Sequence, residues 1–290
     1  MNSLPGTHRP PLAPSCALVR DEPAPAPDTS GAPDQRPSHG PGVALLDALA
    51  GGVPLIAVDD LVAGYGKMDV LHGVSLRVAR GQSLCLIGPN GAGKSTVLHS
   101  IYGLTDITRG RITVAGADAT RIPPASKLRR TGVAYLLQDN SVFPDMTVEE
   151  NLWMGGYLLP RVDEAKRRAE AVLRKYDRLR ARRRHRAAAL SGGERRLLEI
   201  ARALIMDPQV LLVDEPSIGL EPRYIEMVFE ILAELQHGDG KTIVMVEQNA
   251  RKGLEFADIG YLLVAGRVVM AGTGRGLLED AEVGRQFLGG

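Results

Sequence analysis

The fold of this chain is decided by the stretch Gly88-Pro89-Asn90-Gly91-Ala92-Gly93-Lys94-Ser95-Thr96. It follows an apolar, strand-like run and opens a helix-like segment, which is the context of a phosphate-binding loop. Its glycines let backbone N–H groups approach phosphate oxygens, and the N-terminus of the helix adds a favourable potential for an anion. We therefore expect Lys94 to bind the outer phosphates of a nucleotide and the Ser95 hydroxyl to coordinate Mg²⁺. An ordinary glycine-rich turn is the alternative.

A second apolar run, residues 210–213, ends in the two carboxylates Asp214 and Glu215. After a phosphate-binding loop, with the intervening length that one α/β core requires, this ending predicts Asp214 near Mg²⁺ and Glu215 beside the attacking water. The pair indicates nucleotide hydrolysis as well as binding. Taken alone, the same pattern is also typical of a strand whose end is exposed to solvent.

The motif Leu190-Ser191-Gly192-Gly193-Glu194 lies between these two sites. Ser191 and Glu194 form a capping box at the start of an amphipathic helix, and capping alone would explain those two residues. A cap needs no pair of glycines, however. Gly192 and Gly193 expose backbone N–H groups at a helix N-terminus, so the motif predicts a second anion site on the same chain.

The strand patterns predict an α/β core. Residues 84–87 and 210–213 are too apolar for a half-exposed sheet and suit a parallel sheet covered by helices. Residues 242–246 return to that sheet. The alternating run at residues 74–78, Val-Ser-Leu-Arg-Val, is typical of an antiparallel strand and precedes the phosphate loop.

Helix signals follow farther along the chain. Thr147 and Glu150 form a capping box that opens one helix, and residues 162–180 predict another. We place a helical subdomain at about residues 139–204. Pro222 lies at the start of a later helix, where its fixed φ is favourable.

The N-terminal part of the chain differs in composition. Residues 1–42 contain ten of the 19 prolines, and such a segment cannot bury enough apolar surface to offset the entropy of ordering. We expect residues 1–52 to be a disordered, Pro-rich extension, within which residues 43–50 could form a short helix. A misassigned start site would account for the extension equally well.

Charge and cysteine content exclude several classes of protein. The 35 basic and 34 acidic side chains nearly cancel, so no field of the whole chain attracts nucleic acid or an anionic membrane. The two cysteines, Cys16 and Cys85, give no basis for a disulfide framework or a metal site. No apolar run approaches the about 20 residues of a membrane helix, and no secretory signal pattern is present. We expect a chain that neither spans a membrane nor is secreted.

Leu-Ser-Gly-Gly at residues 190–193, between a phosphate loop and an Asp-Glu strand end, resembles the ABC ATPase family. The similarity runs from about Leu55 to the C-terminus. It implies an α/β fold with a P-loop NTPase (RecA-like) core, an antiparallel β subdomain and an α-helical signature subdomain. The ABC nucleotide-binding domain would occupy residues 54–290 and use ATP and Mg²⁺ as cofactors.

The resemblance also implies roles for residues outside the phosphate loop. Two nucleotide-binding domains of that family dimerise head to tail, so Ser191, Gly192 and Gly193 would contact ATP held by the partner's loop. Gln138 matches the family's Q-loop glutamine, which lies near Mg²⁺ and the permease contact. Tyr65 matches the adenine-stacking aromatic residue, although without the family it is only a turn residue.

Three positions depart from the commonest family pattern: Glu194 replaces a glutamine, Glu221 an aspartate, and Gln248 the switch histidine that contacts the γ-phosphate. The Gln248 amide can still donate a hydrogen bond, but it cannot carry the positive charge that a histidine acquires. The resemblance assigns Glu215, Gln248 and Gln138 to catalysis, and Ser95, Gln138 and Asp214 to the metal.

Val-Glu-Gln-Asn at residues 246–249, the segment at residues 143–151 and the ending Gln286-Phe-Leu-Gly resemble the second ATPase of branched-chain amino acid importers, with urea and amide importers close by. This resemblance implies a peripheral subunit on the cytoplasmic face of the cell membrane. It would power two separate permease subunits, fed by a periplasmic or extracellular substrate-binding protein. A heterodimer with a second ABC ATPase is expected, with a homodimer as the alternative. Residues 191–196 are also similar to the lipopolysaccharide-export ATPase, so a lipid exporter is the alternative pathway.

A basic run raises the question of nucleic acid. Residues 166–186 contain eleven Lys or Arg, but Tyr176 is the one aromatic residue among them, and Glu170 and Asp177 interrupt the run. This pattern favours a solvated helical face over a nucleic-acid partner. An ABC ATPase linked to nucleic acid usually has tandem cassettes or coiled-coil arms, and the chain has room for neither. A nucleotide-dependent scaffold without turnover is disfavoured, because the lysine and both carboxylates are present.

Overall fold

The computed structural model describes residues 40–138 and 141–287, and the predicted disorder of residues 1–39 lies outside them. The strands are β1 (Pro54–Tyr65), β2 (Met68–Ala79), β3 (Ser83–Ile87), β4 (Asp106–Val114), β5 (Ala117–Asp118), β6 (Val133–Leu136), β7 (Val210–Asp214), β8 (Thr242–Val246), β9 (Ile259–Val264) and β10 (Arg267–Thr273). The helices are α1 (Val43–Ala50), α2 (Lys94–Tyr102), α3 (Pro124–Thr131), α4 (Val148–Gly155), α5 (Val162–Lys175), α6 (Asp177–Ala181), α7 (Gly192–Leu204), α8 (Pro222–His237), α9 (Ala250–Phe256), α10 (Gly274–Glu279) and α11 (Ala281–Phe287).

The larger sheet has the strand order β10-β9-β3-β8-β7-β6 within the described ranges. Strands β9, β3, β8, β7 and β6 are parallel, and β10 is antiparallel at the edge. Every residue of β3, β7 and β8 is buried, which confirms the predicted parallel sheet covered by helices. The C-terminal ends of β3, β6, β7 and β8 therefore share one edge, where open α/β sheets bind their ligands.

The smaller sheet is antiparallel and has the order β2-β1-β4-β5. Residues 74–78 lie in β2, as the alternating pattern predicted. Ile56 and Leu76 of this sheet belong to the same buried apolar cluster as Leu84 and Val244 of the larger sheet. The two sheets thus share one core, and α2 contacts strands of both.

The helices between β6 and β7 pack on a second buried cluster. Thr147 and Glu150 form the predicted capping box at the start of α4. The single helix predicted for residues 162–180 is wrong in one respect, because Tyr176 has an extended backbone with φ −118° and ψ 90° and separates α5 from α6. This break lets both Tyr176 and Leu179 bury their side chains in the cluster.

Helix α1 contacts β2 and β10, one strand from each sheet. Leu46 is fully buried in the shared core, and the Asp47 carboxylate accepts a hydrogen bond from Arg77 Nε at 3.2 Å. Gln82 Nε2 donates to the Leu49 carbonyl at 3.1 Å. The short helix hypothesised at residues 43–50 is confirmed, and their assignment to a disordered extension is wrong, because an apolar face anchors them to the domain.

Candidate nucleotide-binding site

The phosphate loop connects the C-terminal end of β3 to the N-terminus of α2, as predicted. Gly88 has φ 144° and Gly91 has φ 78°, which are conformations that favour glycine. A Cβ atom at Gly88 would also lie 2.0 Å from the carbonyl oxygen of Leu263 on β9. Glycine at residue 88 is therefore needed both for the turn and for the close approach of a neighbouring strand.

The Lys94 side chain is buried and lies across the loop. Its Nζ donates hydrogen bonds to the carbonyl oxygens of Gly88 at 2.9 Å and Pro89 at 3.1 Å. Burial lowers the pKa of Lys94, whereas the negative charges of Glu215 and Asp214 raise it. These contacts hold an ammonium group at the edge of the loop where it can bind phosphate oxygens.

Asp214 at the end of β7 is 3% exposed and has two hydroxyl donors. Ser95 Oγ donates to Asp214 Oδ1 at 3.0 Å, and the Tyr135 hydroxyl donates to Oδ2 at 2.8 Å. Burial, the charge of Asp214 and this hydrogen bond raise the pKa of Tyr135, so the phenol stays a donor. Sequence reasoning missed Tyr135, whose role depends on the parallel pairing of β6 and β7. The Ser95 and Asp214 oxygens are the hard ligands that Mg²⁺ prefers, so this donor set fits that ion.

Glu215 directly follows Asp214 and has a positive φ of 43°. Its backbone N–H donates to the Val246 carbonyl at 2.9 Å, and its Oε2 accepts a hydrogen bond from Gln138 Nε2 at 3.0 Å. Burial raises the pKa of Glu215, as does the charge of Asp214, while Lys94 opposes the shift. The structure therefore brings together two of the predicted catalytic residues, and a carboxyl group with a raised pKa is suited to proton transfer.

A cleft of about 500 Å³ lies over the phosphate loop and collects most of the predicted site. It is lined by Val70, Asn90, Gly91, Gly93, Lys94, Ser95, Thr96, Gln138, Glu215, Ile218 and Gln248. Gln248 is exposed on the loop after β8 and lines the same cleft as Glu215. Sequence reasoning missed Val70 and Ile218, which carry no polar group to mark them.

Tyr65 lies outside this lining, at the end of β1, and is 43% exposed. Its hydroxyl is hydrogen-bonded to Nδ1 of His99 on α2. The His99 ring in turn makes an edge contact with Tyr135, with 5.7 Å between ring centroids. An exposed aromatic face next to the helix that begins with Lys94 is compatible with stacking on a base.

Ser191, Gly192 and Gly193 also lie outside the cleft that contains Lys94. Ser191 caps α7, because its Oγ accepts from Glu194 N at 3.2 Å while Glu194 Oε2 accepts from Ser191 N at 2.9 Å. A Cβ atom at Gly193 would lie 2.1 Å from the ring of Tyr224, so packing against α8 requires glycine there. The exposed Gly192 leaves the N-terminus of this 13-residue helix accessible. The chain thus has two separate helix N-termini with glycine-containing backbone, those of α2 and α7.

A glycine-rich loop between a parallel strand and a helix, with Asp and Glu at the end of a neighbouring strand, defines a P-loop nucleotide-binding protein. The ABC transporter family model matches residues 71–218. The chain therefore belongs to the ABC transporter family, and it is an ATP-binding subunit that hydrolyses ATP.

Relatives of this chain match it over most of its length. The high-affinity branched-chain amino acid transport ATP-binding protein BraG of Pseudomonas aeruginosa is 41% identical over 236 residues, which cover 81% of this chain and 100% of BraG. The probable branched-chain amino acid transport ATP-binding protein LivF of Archaeoglobus fulgidus is 39% identical, covering 79% and 96% of the two chains. The lipopolysaccharide export system ATP-binding protein LptB of Haemophilus influenzae is 32% identical, covering 81% and 97%.

Solved structures of ATP-binding cassettes have the same fold. The ADP conformation of the cassette MJ1267 has a TM-score of 0.72 at 27% identity and covers 82% of this chain and 100% of that one. The dimeric cassette MJ0796 bound to ADP and Pi has a TM-score of 0.65 at 26% identity, covering 76% and 99%. These neighbours confirm the predicted fold class.

No helix within residues 40–138 or 141–287 is both long and apolar enough to cross a membrane.

Proposed function

We propose that this chain powers the import of branched-chain amino acids or related small polar solutes through separate permease subunits. The observation that carries the ATP-driven part of the proposal is the Glu215 carboxylate, which lines the same cleft as Lys94 and accepts a hydrogen bond from Gln138. The solute class is supported by the names of BraG and LivF and by their higher identity compared with LptB. Lipid export, as in LptB, is the second candidate.

The residues of the cleft have distinct roles in the proposed mechanism. ATP would supply the phosphoryl group, which passes to water with ADP as the leaving group, and Mg²⁺ would neutralise charge on the phosphates. Lys94 binds the outer phosphate oxygens in exchange for the Gly88 and Pro89 carbonyls. The oxygens of Ser95, Asp214 and Gln138 would hold Mg²⁺. Glu215 accepts a proton from water at its carboxylate, and Gln138 orients that carboxylate.

Gln248 and the Ser191 loop support an asymmetric dimer. Gln248 lines the same cleft as Glu215 and has a neutral amide, so this chain's own site is the slower of the two, although each cycle of the complex requires hydrolysis there. The N-terminus of α7, with Ser191, Gly192 and Gly193, would contact the nucleotide on a second ABC ATPase. A heterodimer with two unlike sites follows, and Tyr65 would stack on adenine in this chain's site.

The partners extend beyond the dimer. This subunit would bind two permease subunits at the cytoplasmic face of the membrane. A substrate-binding protein would deliver the solute to those permease subunits. Trp153 and Met154 of α4, with Met154 38% exposed, offer apolar contacts for such a permease. Basic residues near α5 and α6 form ion pairs within the chain, as Arg183 does with both Glu149 and Glu170.

The proposed import can be tested by reconstitution. The chain would be purified with the permease and ATPase subunits that copurify from its native cell, and the complex placed in liposomes with ATP inside. We expect ATP-dependent uptake of leucine in the presence of the binding protein, and none with Glu215→Gln. Absence of uptake, together with lipid extraction from the same liposomes, would favour the exporter instead.

A further inference from the structure

A buried carboxylate connects the two loops that carry Glu215 and Gln248. Glu247 directly follows β8, and the residue is 1% exposed. Its Oε1 accepts hydrogen bonds from the Ser217 hydroxyl at 2.6 Å and from the Asn249 backbone N–H at 3.1 Å. Ser217 lies two residues after Glu215, and Asn249 directly follows Gln248. One carboxylate oxygen therefore joins the chain segment that follows Glu215 to the segment that follows Gln248.

The packing around Glu247 restricts its side chain. A Cβ atom at Gly253 of α9 would lie 3.0 Å from the Glu247 Cβ and 2.6 Å from Cys85 Sγ. Helix α9 thus lies directly against Glu247, and Cys85 of β3 lies against the same helix. The close contact leaves the carboxylate little freedom to leave its hydrogen bonds.

The second oxygen of this carboxylate indicates a role other than stabilising the fold. Glu247 Oε2 has no hydrogen-bond partner among the described residues. Burying an unpaired carboxylate oxygen is unfavourable, and an apolar side chain of similar volume is often at least as stable in such a place. The contribution of a glutamate at this position is therefore to hold the loops after β7 and β8 in place, and not to stabilise the core.

We propose that Glu247 is a positioning residue for ATP hydrolysis, which fixes Glu215 relative to Gln248 by bridging Ser217 and Asn249. The bridge reinforces the backbone hydrogen bond from Glu215 N to the Val246 carbonyl, which joins the same two segments. Glu247 is not among the residues that line the cleft, so it would act through Glu215 and not on the nucleotide itself. This inference rests on the proposed role of Glu215 as the proton acceptor.

Three variants separate the contacts of Glu247. Glu247→Leu removes both hydrogen bonds at similar volume, Ser217→Ala removes one, and Glu247→Gln keeps an oxygen that accepts both. Glu255→Gln makes the same chemical change on the exposed side of α9 and is the matched control. Each variant would be assembled into the transporter complex, and kcat and KM for ATP measured together with the Kd of the full chain for the analogue AMP-PNP.

We expect Glu247→Leu to lower kcat by about 10- to 100-fold, because misplacement of a reacting group by about 1 Å has effects of that order. KM and the AMP-PNP Kd should stay within about twofold, since the phosphate loop is untouched. Ser217→Ala should give a smaller loss of kcat. A chain with both Glu247→Leu and Ser217→Ala should match Glu247→Leu alone, because the two substitutions remove the same contact. Glu247→Gln should restore most of kcat, and Glu255→Gln should match the unmodified chain.

Two results would overturn the inference: full kcat in Glu247→Leu, or a rise in KM and in the AMP-PNP Kd that matches the loss of kcat. The second result would show a general structural defect. If Glu247→Leu does not fold, Ser217→Ala carries the test alone, with full kcat counting against the bridge. Glu215→Gln in the same preparation separates the two claims. If Glu215→Gln retains activity, the role of Glu215 is contradicted. If Glu215→Gln loses activity but Glu247→Leu keeps it, only the proposed bridge is contradicted.

Discussion

The Gln138 amide donates a hydrogen bond to Glu215, with 3.0 Å between Nε2 and Oε2. The contact joins the loop after β6 to the end of β7. Glu215 also has a φ of 43°, in a region that residues with a side chain rarely adopt, so its backbone holds the carboxylate in a restricted direction. Gln138 therefore sets the orientation of the group that we propose as the proton acceptor.

Replacing Gln138 with methionine should lower kcat for ATP hydrolysis by about tenfold or more, because the amide that orients Glu215 is lost at similar volume. ATP binding should change little, since Lys94 and the loop glycines are untouched. Steady-state kinetics of the assembled complex give kcat and KM separately. An increase in KM with kcat unchanged would assign Gln138 to nucleotide binding instead.

Replacing Lys94 with alanine should weaken both ATP binding and turnover, because the buried ammonium is the positive charge nearest the loop. We expect the ATP Kd of the full chain to rise by about 10-fold or more, as for loss of a charge-assisted contact. Isothermal titration would measure this change, and the exposed Lys67→Ala provides the control. Equal affinity for the two variants would contradict the proposed phosphate contact.

The proposed asymmetry of the dimer predicts unequal effects for two substitutions. Ser191→Arg places a bulky charge at the N-terminus of α7 and should block its contact with the partner's nucleotide, whereas Gln248→Ala removes only an amide from the weaker site. Transport and ATPase activity should therefore fall more in Ser191→Arg. Loss of activity in Gln248→Ala with full activity in Ser191→Arg would make this chain's own site the main one.

Helix α1 should contribute to stability. Leu46→Ala removes a fully buried side chain and should lower the free energy of unfolding by about 2 to 5 kcal/mol. Leu45 is 45% exposed, so Leu45→Ala should change the free energy of unfolding by only about 0.5 kcal/mol. Urea unfolding of both variants checks this, together with a comparison of chains that lack residues 1–39 or 1–50. Equal stability of the two truncated chains would show that α1 is dispensable.

Local sequence patterns were sufficient for the phosphate loop, the Asp214–Glu215 strand end and the buried strands. Each depends on residues close together in the chain, such as glycines with positive φ or an uninterrupted apolar run. The capping boxes at Thr147 and Ser191 are likewise local, and the structure confirms both.

Features that depend on distant contacts could not be read in this way. Tyr135 acquires its role from Asp214, which is 79 residues away, and Glu247 acquires its role from Ser217, which is 30 residues away. Helix α1 is stabilised by Leu46 in a core assembled from both sheets. The proline-rich composition before α1 predicted disorder for residues 43–50 as well. The apolar face of α1 orders these residues, and it can be recognised only once the core on which it packs is known.

The most direct test of this account is the turnover of Glu215→Gln in the assembled transporter. The amide keeps the size of the side chain but cannot accept a proton from water, so kcat should fall by about 10²- to 10⁴-fold while ATP binding survives. Single-turnover measurement with Mg²⁺ and radiolabelled ATP would separate the chemical step from product release. A single-turnover rate equal to that of the unmodified chain would contradict the assignment of Glu215 as the proton acceptor.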